Sequence, residues 1–238
     1  MDQICFTGES TCHSFTGHML KANMCCNCMK DIAKHRKEVV DSESLVKALE
    51  CTQKGERIPS LILEKDEVFG HGKLYLGGFK ACTSREFITH EQVRGVVNTV
   101  GNGLFGLFGR KFQSTYEEVM KTNQVDYIEV EWEDSLAFHI PEHEMKHVLR
   151  HIHSVRTNGG AVLVHCAQGK SRSTTAVVAY LMCLRKMSRD DAFKFVKERR
   201  KMAEPNATFM EFLRKFESSE LLTTLSNEFS EIGSLEVK

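Results

Sequence analysis

The chain has 238 residues, 41% hydrophobic and 27% charged, enough apolar material for one packed domain of ordinary size with a modest appendage. Its 32 basic and 32 acidic residues cancel, so nothing draws it toward nucleic acid or a membrane surface and no nucleic-acid partner is expected. No apolar run approaches the ~20 residues of a bilayer span, and the opening MDQICFTGES lacks a basic segment followed by an apolar one, so neither a transmembrane segment nor a secretory leader is expected.

Nine cysteines in such a chain argue for free thiols, metal ligands or a nucleophile rather than disulfides. The expected location is the cytoplasm, with the nucleus left open; the oligomeric state is not readable. Five of the nine fall in the first 28 residues, which marks residues 1–36 as a separate Cys/His-rich module. Within it, CHSFTGHMLKANMCCNCMKDIAKH offers Cys12, the knuckle Cys25-x2-Cys28, and His35. That is the donor set of a closed tetrahedral zinc site, with Cys5, Cys26, His13 and His18 as alternative ligands. A segment this short cannot hold itself together by burial alone, so metal would contribute directly to its folding. The zinc would be structural; the competing reading is a reduced tail with incidental cysteines.

Residues 37–57 are charged and read as a linker or helix. From about Pro59 strands and helices alternate, the pattern of a mostly parallel sheet of four to five strands flanked by helices, an α/β fold. KLYLGG (73–78) and VRGVVNTV (93–100) read as strands, the second apolar enough to be buried on both faces. The glycine-rich GNGLFGLFG (101–109) lacks the spacing and the Lys-Ser or Lys-Thr pair of a nucleotide loop, and reads as a long loop. VDYIEVEW (125–132) alternates like a strand. A helix is expected over 141–160, between Pro141 and Asn158-Gly159, with Met145, Val148, Leu149 and Ile152 on one face. AVLVH (161–165) is a buried strand and Ser173 to about Lys186 a core helix. Ser188 caps a helix over 188–200, and a last helix follows Pro205 over 207–218. Residues 58–218 thus form the main domain, and 219–238 a loosely ordered tail.

Within that layout, VLVHCAQGKSRSTT (162–175) runs from a strand through a short loop into a helix. Loop amides at a helix N-terminus converge on an anion, and Gly169 permits the turn that lets them converge. Cys166, at the head of the loop, feels those amides and should ionise well below the ordinary thiol range. Arg172 supplies a planar fork for two phosphate oxygens. Thiolate attack on phosphorus would give a phosphocysteine and split hydrolysis into two easier steps.

These residues carry a resemblance. VLVHCAQGKSRS resembles the HCxxGxxRS segment of dual-specificity protein phosphatases, within the cysteine-based protein tyrosine phosphatase superfamily. LYLGG, VVNT, EDS and RRKMAEPNATFMEFLRKFE extend the likeness across roughly residues 58–218. It implies Cys166 as nucleophile and Arg172 as phosphate clamp. Ser173 would bond the sulfur and help it leave, and His165 would position the loop and keep the thiolate. Ala167, Gln168, Gly169, Lys170, Ser171 and Arg172 would line the phosphate cradle. The amino-terminal segment loosely resembles short Cys-x-x-Phe…Cys-x-x-Cys…His modules found beside signalling domains.

The leaving oxygen also needs an acid. Asp134, in WEDSLAF, stands 32 positions ahead of Cys166, the separation the family uses; Glu133 and then Asp126 compete with it. No cofactor is expected for catalysis. A chain without the extra segments of tyrosine-only phosphatases should have a shallow site, admitting phosphoserine and phosphothreonine as well as phosphotyrosine in protein substrates. Lys170 keeps a phosphoinositide or other phospholipid substrate in view as an alternative. A non-catalytic phospho-binding module is the third reading, opposed by intact Cys166, Arg172 and Asp134.

Overall fold

Apolar runs of four to six residues alternate with amphipathic helical runs from residue 60 onward, and the computed structural model gathers the former into one sheet. The structure describes residues 3–6, 36–39, 58–66, 68, 70–101 and 103–232. Near the amino terminus, β1 (Gln3–Phe6) and β2 (Arg36–Val39) pair antiparallel as a separate ribbon. Arg36–Val39 is therefore extended, where a linker or helix is expected from residue 37; Val39 is β-branched and suits a pleated strand. Cys12, Cys25, Cys28 and His35, read as zinc ligands, lie outside the described residues.

The main sheet has the order β3-β4-β7-β5-β6, with β3 (Ser60–Leu63), β4 (Leu74–Gly78), β5 (Val93–Asn98), β6 (Asp126–Glu129) and β7 (Ala161–Cys166). The edge strand β3 runs antiparallel to β4, and the other pairings are parallel. The mostly parallel α/β sheet expected from the alternation is present, with five strands. β4 and β7 are buried along their whole length, as central strands covered on both faces must be.

Two short helices, α1 (Phe79–Cys82) and α2 (Arg85–His90), follow β4, with Ser84 capping the second through the Phe87 amide. The glycine-rich stretch after β5 is helix, not loop: α3 spans Gly103–Thr122. Its later turns explain this. Tyr116, Val119 and Met120, at i, i+3 and i+4, bury against Ala81, Ile88 and Val96. Tertiary packing of that stripe outweighs a cost of about 1 kcal/mol per helical glycine.

On the other face, α4 (Glu142–Thr157), α5 (Arg172–Arg185), α6 (Arg189–Arg199), α7 (Ala207–Glu217) and α8 (Glu220–Ile232) build the larger core. The central helix α5 is buried from Ser173 to Cys183. Over Glu220–Ile232 the expected loose tail is a helix instead. Leu225 and Phe229 of α8 are buried, Phe229 stacks on His153 at 3.9 Å between centroids, and Arg150 clasps Glu228 through Nε and Nη2. Among the described residues no helix is long and apolar enough to cross a membrane.

Candidate active site

β7 ends at Cys166 and α5 begins at Arg172, so the intervening loop sits at the carboxyl edge of a parallel sheet, where helix amides open toward a ligand. Helix begins one residue earlier than Ser173. Cys166 is buried, and its Sγ accepts from the Gly169 amide at 3.1 Å and from the Ser173 hydroxyl at 3.2 Å. Burial pushes its pKa up, but the Arg172 charge and the two bonds from Ser173 outweigh this and hold it below the ordinary thiol range. Two other buried thiols behave oppositely. Burial pushes Cys183 up to about 12 and Cys82 higher still.

Burial of His165 is complete and pushes it down to about 4, so its ring is neutral near pH 7. Its Nδ1 lies 3.5 Å from the Cys166 carbonyl, and its own carbonyl accepts from both the Thr99 amide and hydroxyl. It therefore braces the strand end, and a positive ring is not what holds the thiolate.

The loop keeps its shape through contacts from distant segments. The Phe79 amide at the head of α1 donates to the Ala167 carbonyl, and Arg200 donates from Nη2 to Gln168 O at 2.8 Å and from Nε to Gly169 O at 2.5 Å. Gly169 adopts φ +71°, and a Cβ there would stand 2.4 Å from both Arg200 Nη2 and the Gly77 carbonyl. Only glycine fits this turn. Thr175 bonds the Ser171 carbonyl through both its amide and its hydroxyl. Lys170, the basic loop residue, ion-pairs with Glu204 at 2.9 Å.

Arg172 reaches back across the cradle. Its Nη1 donates to Trp132 O at 3.1 Å, while Nε is buried without a hydrogen-bond partner and lies 3.7 Å from Asp134 Oδ2. Trp132, buried and bonded to Glu144 of α4 through its indole N–H, anchors the segment that carries Asp134. Asp134 Oδ1 accepts from the Ser171 hydroxyl at 2.8 Å and from Asn206 Nδ2 at 2.9 Å. Glu133 is turned to solvent, and Asp126 sits beside His151 at the opposite end of the sheet. Of the three carboxylates weighed as acid, only Asp134 is brought to the loop.

Sequence reasoning missed Arg200 and Asn206. Both lie in the quoted run RRKMAEPNATF, but nothing local says that a residue 31 positions beyond Gly169 returns to its carbonyl. Asn206 announces itself only as the cap of α7, through the Phe209 amide.

Residues 74–219 match the family described as dual specificity phosphatase, catalytic domain. The Dictyostelium discoideum protein named "Probable rhodanese domain-containing dual specificity protein phosphatase" is 33% identical over 144 residues, 60% of this chain and 27% of that protein. Human dual specificity protein phosphatase 1 is 47% identical over 77 residues, 32% of this chain and 21% of its own length. The chain thus spans about a quarter of the length of these relatives. Among solved structures, human DUSP28 superposes with a TM-score of 0.53 at 26% identity, covering 67% of this chain and 93% of that one. With a match across more than half of its 238 residues, joined to the Cys166–Arg172 loop geometry, the chain belongs to the dual specificity phosphatase catalytic-domain family.

Proposed function

We propose that the chain hydrolyses phosphotyrosine and phosphoserine or phosphothreonine in proteins through a phosphocysteine intermediate. The observation that carries this reading is the contrast among three buried thiols: Cys166, inside the loop, is the one held below the ordinary thiol range. Loop amides and the Arg172 Nε, which makes no hydrogen bond, receive the phosphate oxygens. Cys166 Sγ attacks phosphorus as the bond to the leaving oxygen breaks. Asp134 Oδ1 is committed to two donors, so Oδ2 is the atom that delivers the proton to that oxygen. Water then attacks phosphorus, its proton passes to Asp134, and the sulfur leaves as thiolate bonded to Ser173 and the Gly169 amide.

Lys170 was the one feature favouring a phospholipid, and its pairing with Glu204 supports a protein substrate instead. Turnover of a phosphotyrosine peptide, a phosphothreonine peptide and a phosphoinositide decides between them. Both peptides should turn over with kcat/KM at least tenfold above the lipid; a lipid preference would overturn the assignment.

The Cys12, Cys25, Cys28 and His35 donor set supports one structural zinc outside catalysis. Metal analysis of reduced protein should find about one zinc per chain, lost in Cys25→Ser/Cys28→Ser; protein without zinc would remove the proposal. Cys82, Cys166 and Cys183 are free thiols, which supports a cytoplasmic location; a tagged chain found outside the cytoplasm and nucleus would contradict it.

A further inference from the structure

Asp134 sits on a stretch, residues 131–141, that belongs to no helix or strand. No ladder of the sheet therefore fixes its carboxyl group, and side-chain bonds must do so. The stretch is tied at Trp132, whose indole N–H donates to Glu144 and whose carbonyl accepts from Arg172. It is tied again at Leu136, whose carbonyl accepts from the Thr208 hydroxyl at 2.8 Å. Between these ties Asp134 Oδ1 takes its two hydrogen bonds, from Ser171 and from Asn206.

Asn206 is itself set against the phosphate loop. The α6–α7 connection runs beside residues 168–171 and bonds to them in order. Arg200 reaches the Gln168 and Gly169 carbonyls, the Glu204 amide donates to Lys170 O at 2.7 Å, and the Asn206 amide donates to Ser171 Oγ at 3.2 Å. Pro205, buried between the last two, stiffens the backbone there. The Asn206 side chain then faces two ways. Its Oδ1 accepts from the Phe209 amide at 2.9 Å and caps α7, while its Nδ2 donates to Asp134 Oδ1 at 2.9 Å. Because the cap needs an acceptor, the amide group has one orientation, and its donor end is the one that meets Asp134. Two donors on Oδ1 leave Oδ2 as the oxygen without a hydrogen bond, 3.7 Å from Arg172 Nε in the cradle.

We propose, on the reading of Asp134 as general acid, that Asn206 is the positioning residue of the proton donor. Anchored to the phosphate loop and to α7, it holds the Asp134 carboxyl group so that Oδ2 points at the leaving oxygen. Ser171 shares the task but belongs to the cradle. Asn206 can be changed while its backbone bond to Ser171 stays in place.

Asn206→Ser separates the two ends of the side chain: it keeps a cap for α7 but is too short to reach Asp134, whereas Asn206→Ala loses both. In urea, Asn206→Ser should unfold close to the wild-type midpoint and Asn206→Ala below it. Both should nevertheless lose the same activity. For a phosphotyrosine peptide kcat/KM should fall by about 10–100-fold, the worth of one hydrogen bond to a charged group, and for an ester of an acidic phenol by much less. In an Asp134→Asn background, Asn206→Ser should cost phosphopeptide turnover nothing further. Wild-type phosphopeptide turnover by Asn206→Ser, equal loss on both esters, or an undiminished loss in the Asp134→Asn background would each overturn the role of Asn206. Absence of a leaving-group contrast in Asp134→Asn itself would remove the acid assignment, and the positioning role with it.

Discussion

Arg200 Nε donates to the carbonyl of Gly169 at 2.5 Å, tying the end of α6 to the loop that holds the Cys166 sulfur. With its neighbouring bond to Gln168 O, the guanidinium turns two loop carbonyls outward, which leaves the Gly169 amide facing the thiolate. Its two bonds to loop carbonyls place Arg200 as a positioning residue for the loop. Arg200→Lys keeps the charge but loses the fork. It should lower kcat/KM by about 10–100-fold, the scale of one or two charge-assisted hydrogen bonds. Alkylation of Cys166 by iodoacetamide, followed against pH, should show its thiolate forming at higher pH than in the wild type. An unchanged alkylation profile would mean that Arg200 supports stability only.

Ser173 lies on the other side of the sulfur, and its bond is worth most when the sulfur leaves as an anion. Ser173→Ala should therefore slow breakdown of the phosphocysteine more than its formation, by about 10–100-fold for one bond to a charged group. Rapid mixing with an activated aryl phosphate should reveal a burst of phenol absent from the wild type. Equal slowing of both steps would assign Ser173 to loop geometry alone.

For Asp134 the contrast is between leaving groups. Asp134→Asn should slow phosphopeptide hydrolysis by about 10²–10⁴-fold, and an ester of an acidic phenol much less. The acidic limb of the kcat/KM profile belongs to formation of the Cys166 thiolate, which Arg172 and Ser173 set below the ordinary thiol range. That limb should persist in the variant, while the basic limb should flatten. Glu133→Gln should change neither, because its side chain faces solvent. Should the Glu133 variant carry both effects, the acid stands one residue earlier.

Much of this site was legible because its chemistry is local. Cys166, Gly169 and Arg172 fall within one strand–loop–helix transition, and the apolar runs on either side could be read directly. The Ser188 cap was equally plain, since it acts on the Asp191 amide three residues on. What escaped depends on long-range packing. The glycines of 103–109 argue against helix until Tyr116, Val119 and Met120 meet the sheet, and α8 shows its purpose only when Phe229 reaches His153. Arg200 and Asn206 return to the loop through the folded topology, which no window of sequence contains.

His153 and His165 make acid stability a second test of the packing. Burial lowers both to about 4 from 6.5, so the folded state rejects a proton that the unfolded chain accepts. Stability from each is complete above about pH 6.5 and is lost as pH falls toward 4. Between about pH 7 and pH 5 each should cost on the order of 2 kcal/mol. Denaturant unfolding at the two pH values measures the loss, and His153→Phe, which retains a ring against Phe229, should reduce it. An undiminished pH slope in that variant would show that His153 is not protonated on unfolding in this range.

The covalent intermediate is the most direct test of the whole account. Wild-type protein mixed with ³²P-labelled phosphotyrosine peptide and quenched in acid within milliseconds should carry label that peptide mapping places on Cys166. Cys166→Ser should carry none and turn nothing over, yet still bind the phosphopeptide, because the loop amides and Arg172 that form the anion site are intact. Label on another residue, or wild-type turnover by Cys166→Ser, would contradict the phosphocysteine mechanism.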